Sequence, residues 1–184
     1  MLSLALIQTP LEATPYKPPV EADPKGRPTA WLAKKAHAGV WCSFESRKAI
    51  QAALDSGKVT ADNRAVVWTE DHRLRAVGVA NDSEDAFTSD TYYLDPHQKI
   101  TRMVRTGRYI ESPLFSVRYI ANRTGRLVMT AASREVIRRM DQALYESYII
   151  GWPKFASFDR MPFRSLIQLK PELKIRTGCA PAAR

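Results

Sequence analysis

Six of the 12 prolines lie in the first 28 residues, and this crowding limits what the N-terminus can form. Proline has no N–H to donate to a sheet, and it disrupts the interior of a helix. The segment therefore predicts an extended arm that runs over a surface, with one short strand at residues 2–7. We divide the chain into this proline-rich arm, residues 1–29, and one domain of ordinary size, residues 30–184.

The rest of the chain mixes helical and β-rich patterns. Helices are predicted over residues 30–38, over a segment that starts at Ser43 or Ser46 and ends at Gly57, and over residues 133–150. Strands are predicted over residues 64–69, 74–80, 91–94, 100–104, 109–110, 115–120, 127–130 and 163–169. The first two strands form a hairpin, and residues 81–90 form an acidic loop. Because the regular βαβ rhythm is missing, the pattern predicts an α+β (mixed α/β) fold.

Positive charge is concentrated in the second half of the chain. Residues 97–184 hold 17 Lys and Arg against 6 Asp and Glu, whereas residues 1–96 hold 11 against 13. Arginine presents a planar fork of donors that suits phosphate, and too few acids lie nearby to neutralise the excess. We therefore expect a polyanionic partner; solubility with ordinary salt bridging is the alternative. The expected DNA contacts are Arg105, Arg108, Arg123, Arg126 and Arg139.

A short repeat supports this expectation. The tetrapeptide Arg-Thr-Gly-Arg occurs at residues 105–108 and again at residues 123–126, with a partial third copy at residues 176–178. Both full copies are predicted to be turns that lead into strands, where glycine lets backbone N–H groups approach a phosphate. The alternative is a pair of hairpin turns whose arginines stay in water.

A second candidate anion site is the junction between the strand at 127–130 and the helix at 133–150. The N-terminus of a helix offers unpaired N–H groups and a partial positive charge. Ser133 and Arg134 stand beside such an anion, and Arg138 follows one turn later. In the alternative, Glu135 pairs with Arg138 and Arg139 on an ordinary exposed helical face.

This junction resembles the phosphate-binding turn of the ParB/sulfiredoxin superfamily, in which a strand leads through Gly-x-His/Arg-Arg into a helix. Residues 131–134, Ala-Ala-Ser-Arg, occupy that turn here, with Arg134 at the motif arginine. Residues 70–76 resemble the ParB form as well, with Arg73 at the motif arginine. The resemblance implies a ParB/sulfiredoxin-like domain that binds ATP through Ser133, Arg134, Arg138 and Arg73.

The chain as a whole resembles plasmid fertility-inhibition factors of that superfamily. This resemblance implies a DNase and ATPase that degrades DNA before a type IV secretion system exports it, in conjugation or T-DNA transfer. The implied partners are single-stranded transfer DNA or its relaxase complex, and the coupling ATPase of the secretion system. Two alternatives remain: a non-catalytic DNA-binding regulator, and an inhibitor that binds the coupling ATPase through the proline-rich arm.

Phosphodiester cleavage needs charge stabilisation, a positioned water and usually a metal or a general base. Arg134 is the expected charge-stabilising catalytic residue, and Glu45 and Glu135 are the first candidates for the base or the metal ligand. The acidic loop, with Asp82, Glu84, Asp85 and Asp90, is a further candidate for Mg²⁺, although such clusters are usually solvated loops. No metal site is assigned. The aromatic residues that could stack unpaired bases are Trp41, Trp68, Tyr92, Tyr93 and Tyr109.

Compartment follows from what the sequence lacks. Cys42 and Cys179 have no metal-type spacing, no apolar run is long enough to cross a bilayer, and the first cation of the chain is Lys17. We therefore expect a cytoplasmic protein without membrane insertion, which the secretion apparatus could recruit to the inner membrane.

Overall fold

The computed structural model of the protein describes residue 24 and residues 28–36, 38–82, 86–109, 115–132, 155–169 and 172–182. Strands dominate these residues. They are β1 (Pro28–Lys35), β2 (Val40–Phe44), β3 (Val59–Glu70), β4 (Arg73–Asp82), β5 (Ala86–Leu94), β6 (Ile100–Tyr109), β7 (Phe115–Ala121), β8 (Leu127–Ala132), β9 (Ile167–Gln168), β10 (Lys174–Ile175) and β11 (Gly178–Pro181). The α-helix α1 spans Arg47–Asp55, and 3₁₀ turns span Phe158–Arg160 and Arg164–Leu166.

Nine of these strands form one sheet in the order β11-β2-β1-β3-β4-β5-β6-β7-β8, and β9 pairs with β10 separately. Every strand pair among the described residues is antiparallel. From β3 to β8 each strand pairs with the next one along the chain, so this part of the sheet is a continuous meander. The α+β, ParB/sulfiredoxin-like fold expected from the sequence is therefore wrong: the described chain is mostly antiparallel β-sheet.

The largest single correction is at residues 30–38, where the predicted helix is the strand β1. Leu32 and Ala33 are both fully buried although they point to opposite faces of the sheet. A strand buried on both faces shows an unbroken apolar run instead of alternation, and such a run cannot be told from a helix by periodicity. Pairing with β2 on one side and β3 on the other decides the outcome.

The second predicted helix is confirmed as α1. The Ser46 side chain accepts a hydrogen bond from the N–H of Ala49 at 3.1 Å, which caps the N-terminus. Gly57 follows the helix with a φ of +67°, a conformation that favours glycine. The third predicted helix, residues 133–150, and the short strand at residues 2–7 lie outside the described residues.

The predicted hairpin over residues 64–80 is also confirmed, as β3 and β4. Its turn residues Asp71 and His72 have φ values of +50° and +55°. Two consecutive positive φ values match the two-residue turns that suit the twist of a hairpin. Pro28 and Thr29 belong to β1, so the sheet begins inside the predicted arm.

Three further predictions need correction. The loop at residues 81–90 is largely the end of β4 and the start of β5. The predicted strand at residues 100–104 and the residue Tyr109 belong to the single strand β6, and Ile110 lies outside the described residues. The last strand, at residues 163–169, is a 3₁₀ turn followed by the two-residue β9. The predicted strands at residues 91–94, 115–120 and 127–130 lie within β5, β7 and β8.

The sheet has two faces, which we call inner and outer. The inner face carries the main core, and Phe158, Met161, Phe163 and Leu166 from the C-terminal segment pack against it. The outer face of β1 and β3 is covered by α1, whose Ile50 and Ala53 cluster with Ala33 and Val59. Away from the register shifts, alternation along the strands then assigns the described side chains of the meander to one face or the other.

A disulfide between Cys42 and Cys179 ties the C-terminal strand to the sheet. The two residues are directly opposed in the pairing of β2 with β11, and their Cα atoms are 4.0 Å apart. The bond closes a loop across 137 residues of sequence. A cross-link over such a separation restricts the unfolded chain strongly, since the entropy lost by the unfolded state grows with loop length.

We expect the variant Cys42→Ala/Cys179→Ala to lose about 2–4 kcal/mol of unfolding free energy relative to the oxidised protein, a typical value for a native disulfide. Urea denaturation of the oxidised protein, the reduced protein and the variant measures this loss. The reduced protein and the variant should agree closely. A loss below about 0.5 kcal/mol, the range of ordinary surface substitutions, would contradict the prediction.

Candidate nucleic-acid interface

Three hairpin turns of the meander lie at the same end of the sheet. Because β3 to β8 alternate in direction, the turns β3–β4, β5–β6 and β7–β8 all project from one end, each about 10 Å from the next, or two strand spacings. Arg73 follows the first turn, Lys99 lies in the second, and Arg123 and Arg126 lie in the third. All four side chains are exposed.

The second and third turns have the same hydrogen-bond pattern. In one, the N–H of Asp95 donates to the carbonyl of Lys99, and the Asp95 carboxylate accepts the N–H of Lys99, each at 2.9 Å. In the other, the N–H of Asn122 donates to the carbonyl of Arg126 at 2.9 Å, and the Asn122 side chain accepts the N–H of Arg126 at 3.0 Å. Gln98 and Gly125 occupy the equivalent positive-φ positions, at +65° and +78°. Lys99 and Arg126 therefore project from matching positions of two neighbouring turns, which we call the twin turns.

This pattern corrects how the Arg-Thr-Gly-Arg repeat was expected to bind phosphate. In residues 123–126, the Asn122 side chain takes the N–H groups of Thr124 and Arg126, and the N–H of Gly125 donates to the Asn122 carbonyl. These amides are occupied within the turn, so the positive charges of Arg123 and Arg126 remain as the means of attraction. The copy at residues 105–108 is not a turn at all, because it lies in the middle of β6.

Arg105 is buried on the inner face of the sheet, against expectation. Its side chain has no exposed surface, and its guanidinium forms a two-bond ion pair with Asp90 on the neighbouring strand. Nε donates to Oδ1 and Nη2 donates to Oδ2, both at 2.6 Å. The Tyr92 hydroxyl also donates to Asp90 at 3.3 Å and accepts the N–H of Phe155 at 3.3 Å. This cluster links β5, β6 and the C-terminal segment.

The electrostatics of this cluster follow from burial and pairing. Burial, together with the negative charge of Asp90, raises the pKa of the Tyr92 phenol above its ordinary range. Burial acts to lower the pKa of Arg105, but the hydrogen bonds and the charge of Asp90 outweigh it and raise the pKa. Arg105 therefore stays charged and inside the fold, where it cannot reach a phosphate. Asp90 likewise uses both carboxylate oxygens on Arg105. Mg²⁺ binding by the acidic loop stays a prediction.

On the opposite face, one row of side chains crosses six strands. The register pairs Trp68 with Ala76, Ala76 with Tyr93, Tyr93 with Arg102, Arg102 with Ile120, and Ile120 with Val128. Each of the first five residues in this row is next in sequence to a residue of the inner face, such as Val67, Tyr92, Met103 or Tyr119. Successive side chains of a strand point to opposite faces, so the row lies on the outer face. We call Trp68, Tyr93, Arg102, Ile120 and Val128 the outer row.

The outer row combines aromatic rings, a cation and apolar side chains at the surface. The Trp68 indole lies against Gly78: a Cβ at that glycine would be 3.0 and 3.1 Å from two ring atoms. The Arg102 guanidinium lies over the Tyr93 ring, 3.9 Å from its centroid, in a cation–π contact. Ile120 and Val128 are each 45% exposed, high for large apolar side chains. Arg118 lies beside the row, also on the outer face.

An open groove of about 1670 Å³ runs below the twin turns towards the C-terminal segment. Its cationic lining comes from Lys99, Arg123, Arg126 and Arg164, and its aromatic lining comes from Phe155 and Phe158. Arg164 donates to Asp159 at 2.9 Å and lies over the Phe158 ring, 5.2 Å from its centroid. The cations of the twin turns are therefore continuous with the wall of a groove.

Of the other predicted site residues, the structure describes the side chain of Glu45 and places it away from the twin turns. Glu45 is exposed on the connection from β2 to α1 and lines a separate cavity of about 210 Å³ with Thr29, Ser43 and Thr177. The side chain of Arg108 lies outside the described part of the chain, as do Ser133, Arg134, Glu135, Arg138 and Arg139. Among the described residues, no group of three or more His, Cys, Asp or Glu could hold a metal ion.

Sequence reasoning missed Lys99, Arg102 and Arg118 as site residues. Arg118 and Ile120 alternate with the buried Val117 and Tyr119, and this period-2 pattern could have assigned Arg118 to an open face of the sheet. Of the aromatic residues named as candidate base-stacking groups, Trp41 and Tyr92 are buried in the core, while Trp68 and Tyr93 lie in the outer row. The side chain of Tyr109 is not described.

We expect Arg105→Met to cost about 3–5 kcal/mol of unfolding free energy, because it leaves the Asp90 carboxylate buried without its cation. The double variant Asp90→Leu/Arg105→Met removes both charges and should recover a large part of that loss. Urea denaturation measures both, and Arg126→Met, at an exposed turn, serves as the control with a change within about 0.5 kcal/mol. A single variant as stable as the control would contradict the prediction.

No family model, no curated protein and no solved structure matches this chain. The resemblance to the ParB/sulfiredoxin superfamily therefore stays a prediction, and the fold expected from it has been corrected above.

No helix within the described residues is long and apolar enough to cross a membrane.

Proposed function

We propose that this protein binds nucleic acid through the cations of the twin turns. The observation that carries the proposal is the placement of Lys99, Arg123 and Arg126: three exposed cations on two turns of the same geometry, side by side at one end of a sheet. Turns held by their own hydrogen bonds present these charges at fixed positions. Positive charges so held suit a regularly charged backbone such as a chain of phosphates.

The charge balance around the turns supports this assignment. Arg102 and Arg118 add two cations on the outer face directly below, and Asp95 is the one described acid between residues 91 and 132. The Asp95 carboxylate already accepts the N–H of Lys99. Lys99, Arg123 and Arg126 therefore carry a local excess of positive charge at the twin turns, in agreement with the excess of Lys and Arg over residues 97–184.

Nucleic-acid binding is the part of the sequence-based expectation that the geometry favours. DNA degradation, ATP binding and hydrolysis with Mg²⁺, the coupling ATPase as partner, and fertility inhibition rest on the resemblance alone and stay predictions. They depend on Arg134 and Glu135, which lie outside the described residues, and on Glu45, which lines a different cavity from the cations. We therefore propose binding without assigning a cleavage step.

We propose the cytoplasm as the compartment, because nucleic acid is abundant there. The Cys42–Cys179 disulfide bears directly on this proposal, since cytoplasmic thiols are normally kept reduced. Thiol labelling of the protein in intact cells tests the compartment. Two free thiols in intact cells would support the cytoplasm, and a fully oxidised pair would overturn that location.

We expect the affinity of the protein for DNA to fall linearly on a plot of log K against log[salt]. The variant Lys99→Ala/Arg123→Ala/Arg126→Ala should reduce the slope by about 2–3, the value for three lost phosphate contacts. The slope is measured by fluorescence anisotropy with a labelled oligonucleotide, at NaCl concentrations from about 50 to about 300 mM.

The matched control is Arg47→Ala/Lys48→Ala/Lys58→Ala, which removes the same charge from exposed positions on and just after α1. This control should keep the wild-type slope, whereas loss of net charge alone would change both variants equally. Equal slopes in the two triple variants, or no binding by the wild-type protein at low salt, would overturn the proposal.

A further inference from the structure

We infer that the outer row makes this interface selective for unpaired bases, so that the protein prefers single-stranded nucleic acid to duplex. The inference rests on the proposed function and adds the class of ligand and the residues that select it. In this arrangement Trp68 and the Tyr93–Arg102 pair are the surfaces on which bases stack, and the twin turns hold the phosphates.

The position of the row relative to the turns allows both contacts at once. Tyr93 lies two residues before Asp95, and Ile120 lies two residues before Asn122, so each turn begins immediately beyond the row. Val128 lies two residues after Arg126. A strand whose phosphates meet Lys99 and Arg126 therefore has its bases within reach of the outer face, where aromatic rings offer stacking.

The two stacking positions are ordered before any ligand arrives. Gly78 leaves room for the Trp68 indole to lie close against the sheet, because a Cβ at that position would crowd the ring. The Arg102 guanidinium lies over Tyr93, 3.9 Å from the ring centroid, so the two planar groups are held together as one unit. Side chains that are fixed in advance lose little conformational entropy on binding, which favours affinity.

Duplex nucleic acid cannot use this row in the same way. Its bases are stacked on one another and paired, so only their edges face a protein. Stacking on Trp68 or on the Tyr93–Arg102 pair needs a base face, which single strands offer without the cost of unpairing. Ile120 and Val128 extend the row with exposed apolar surface suited to the flat, poorly hydrated faces of bases. The cations of the twin turns attract both single-stranded and duplex nucleic acid, and the outer row provides the preference for the single strand.

The test compares a labelled 15-nucleotide oligo(dT) with a labelled 15-base-pair duplex at the same low salt, by fluorescence anisotropy. The wild-type protein is expected to bind oligo(dT) at least about tenfold more tightly than the duplex. Tyr93→Leu and Trp68→Leu should each weaken oligo(dT) binding by about fivefold to 150-fold, the loss of one stacked base, with duplex binding unchanged within about twofold. Oligo(U) in a parallel arm distinguishes RNA from DNA as the preferred strand.

Tyr93→Phe and Trp68→Phe keep a ring and are the matched controls, which should retain most of the oligo(dT) affinity. Thermal unfolding of each variant establishes that the loss arises in a folded protein. If the wild type binds both probes equally and the leucine variants change neither, the inference is overturned while the proposed function stands. If the wild type binds neither probe, the proposed function itself fails.

Self-association through the row is a distinct outcome. Ile120→Ser/Val128→Ser would then convert an oligomer to a monomer in sedimentation while oligo(dT) affinity stayed unchanged, and the inference would be overturned. The inference instead expects this variant to weaken oligo(dT) binding with no change in the sedimentation coefficient.

Discussion

The buried ion pair between Asp90 and Arg105 fixes the register on which the candidate interface depends. A buried carboxylate and guanidinium must stay opposite one another, because either one alone inside the fold would be strongly destabilising. The pairing of β5 with β6 continues without a shift from Asp90 and Arg105 to Tyr93 and Arg102, which lie three residues further along their strands and on the other face. A slip of one residue would turn every side chain of β6 to the wrong face. A polar contact inside the core thereby places a cation–π contact at the surface.

The Arg-Thr-Gly-Arg repeat illustrates what local sequence leaves undecided. One copy is a hairpin turn with both arginines exposed, and the other is a strand segment whose Arg105 is buried. The difference arises from a residue outside the repeat, since the Asp90 carboxylate that neutralises Arg105 lies 15 residues earlier in the sequence. Identical tetrapeptides therefore serve opposite purposes, and no local pattern separates them.

Elements marked by local sequence signals were predicted well, whereas β1 and the order of the sheet were not. The Ser46 cap with Gly57 identified α1, and the turn at Asp71 and His72 identified the first hairpin. The strand β1 was missed because burial on both faces removes the alternation that marks a strand. The α+β assignment failed for the same reason: it counted residues 30–38 as a helix and did not see one continuous meander.

The candidate site was predicted in part. Arg73, Arg123 and Arg126 lie exposed at one end of the sheet, although they were selected from unrelated motifs. Lys99 was missed because its turn has no sequence motif in common with residues 123–126. The two turns are alike in the hydrogen bonds that Asp95 and Asn122 accept and donate. Which aromatic residues face outward depends on which alternate residues of a strand point inward. In β5, the ion pair of Asp90 with Arg105 holds Asp90 on the inner face, so Tyr92 points inward as well and Tyr93 points outward.

The location of the bound strand tests the central claim most directly. A single-stranded oligonucleotide that carries a photoreactive uracil would be irradiated with the full-length protein, and mass spectrometry would identify the cross-linked residues. The account predicts cross-links at Trp68 and Tyr93, on strands β3 and β5. Cross-links confined to β1, β2 and β11, with both aromatic residues unmodified, would contradict it.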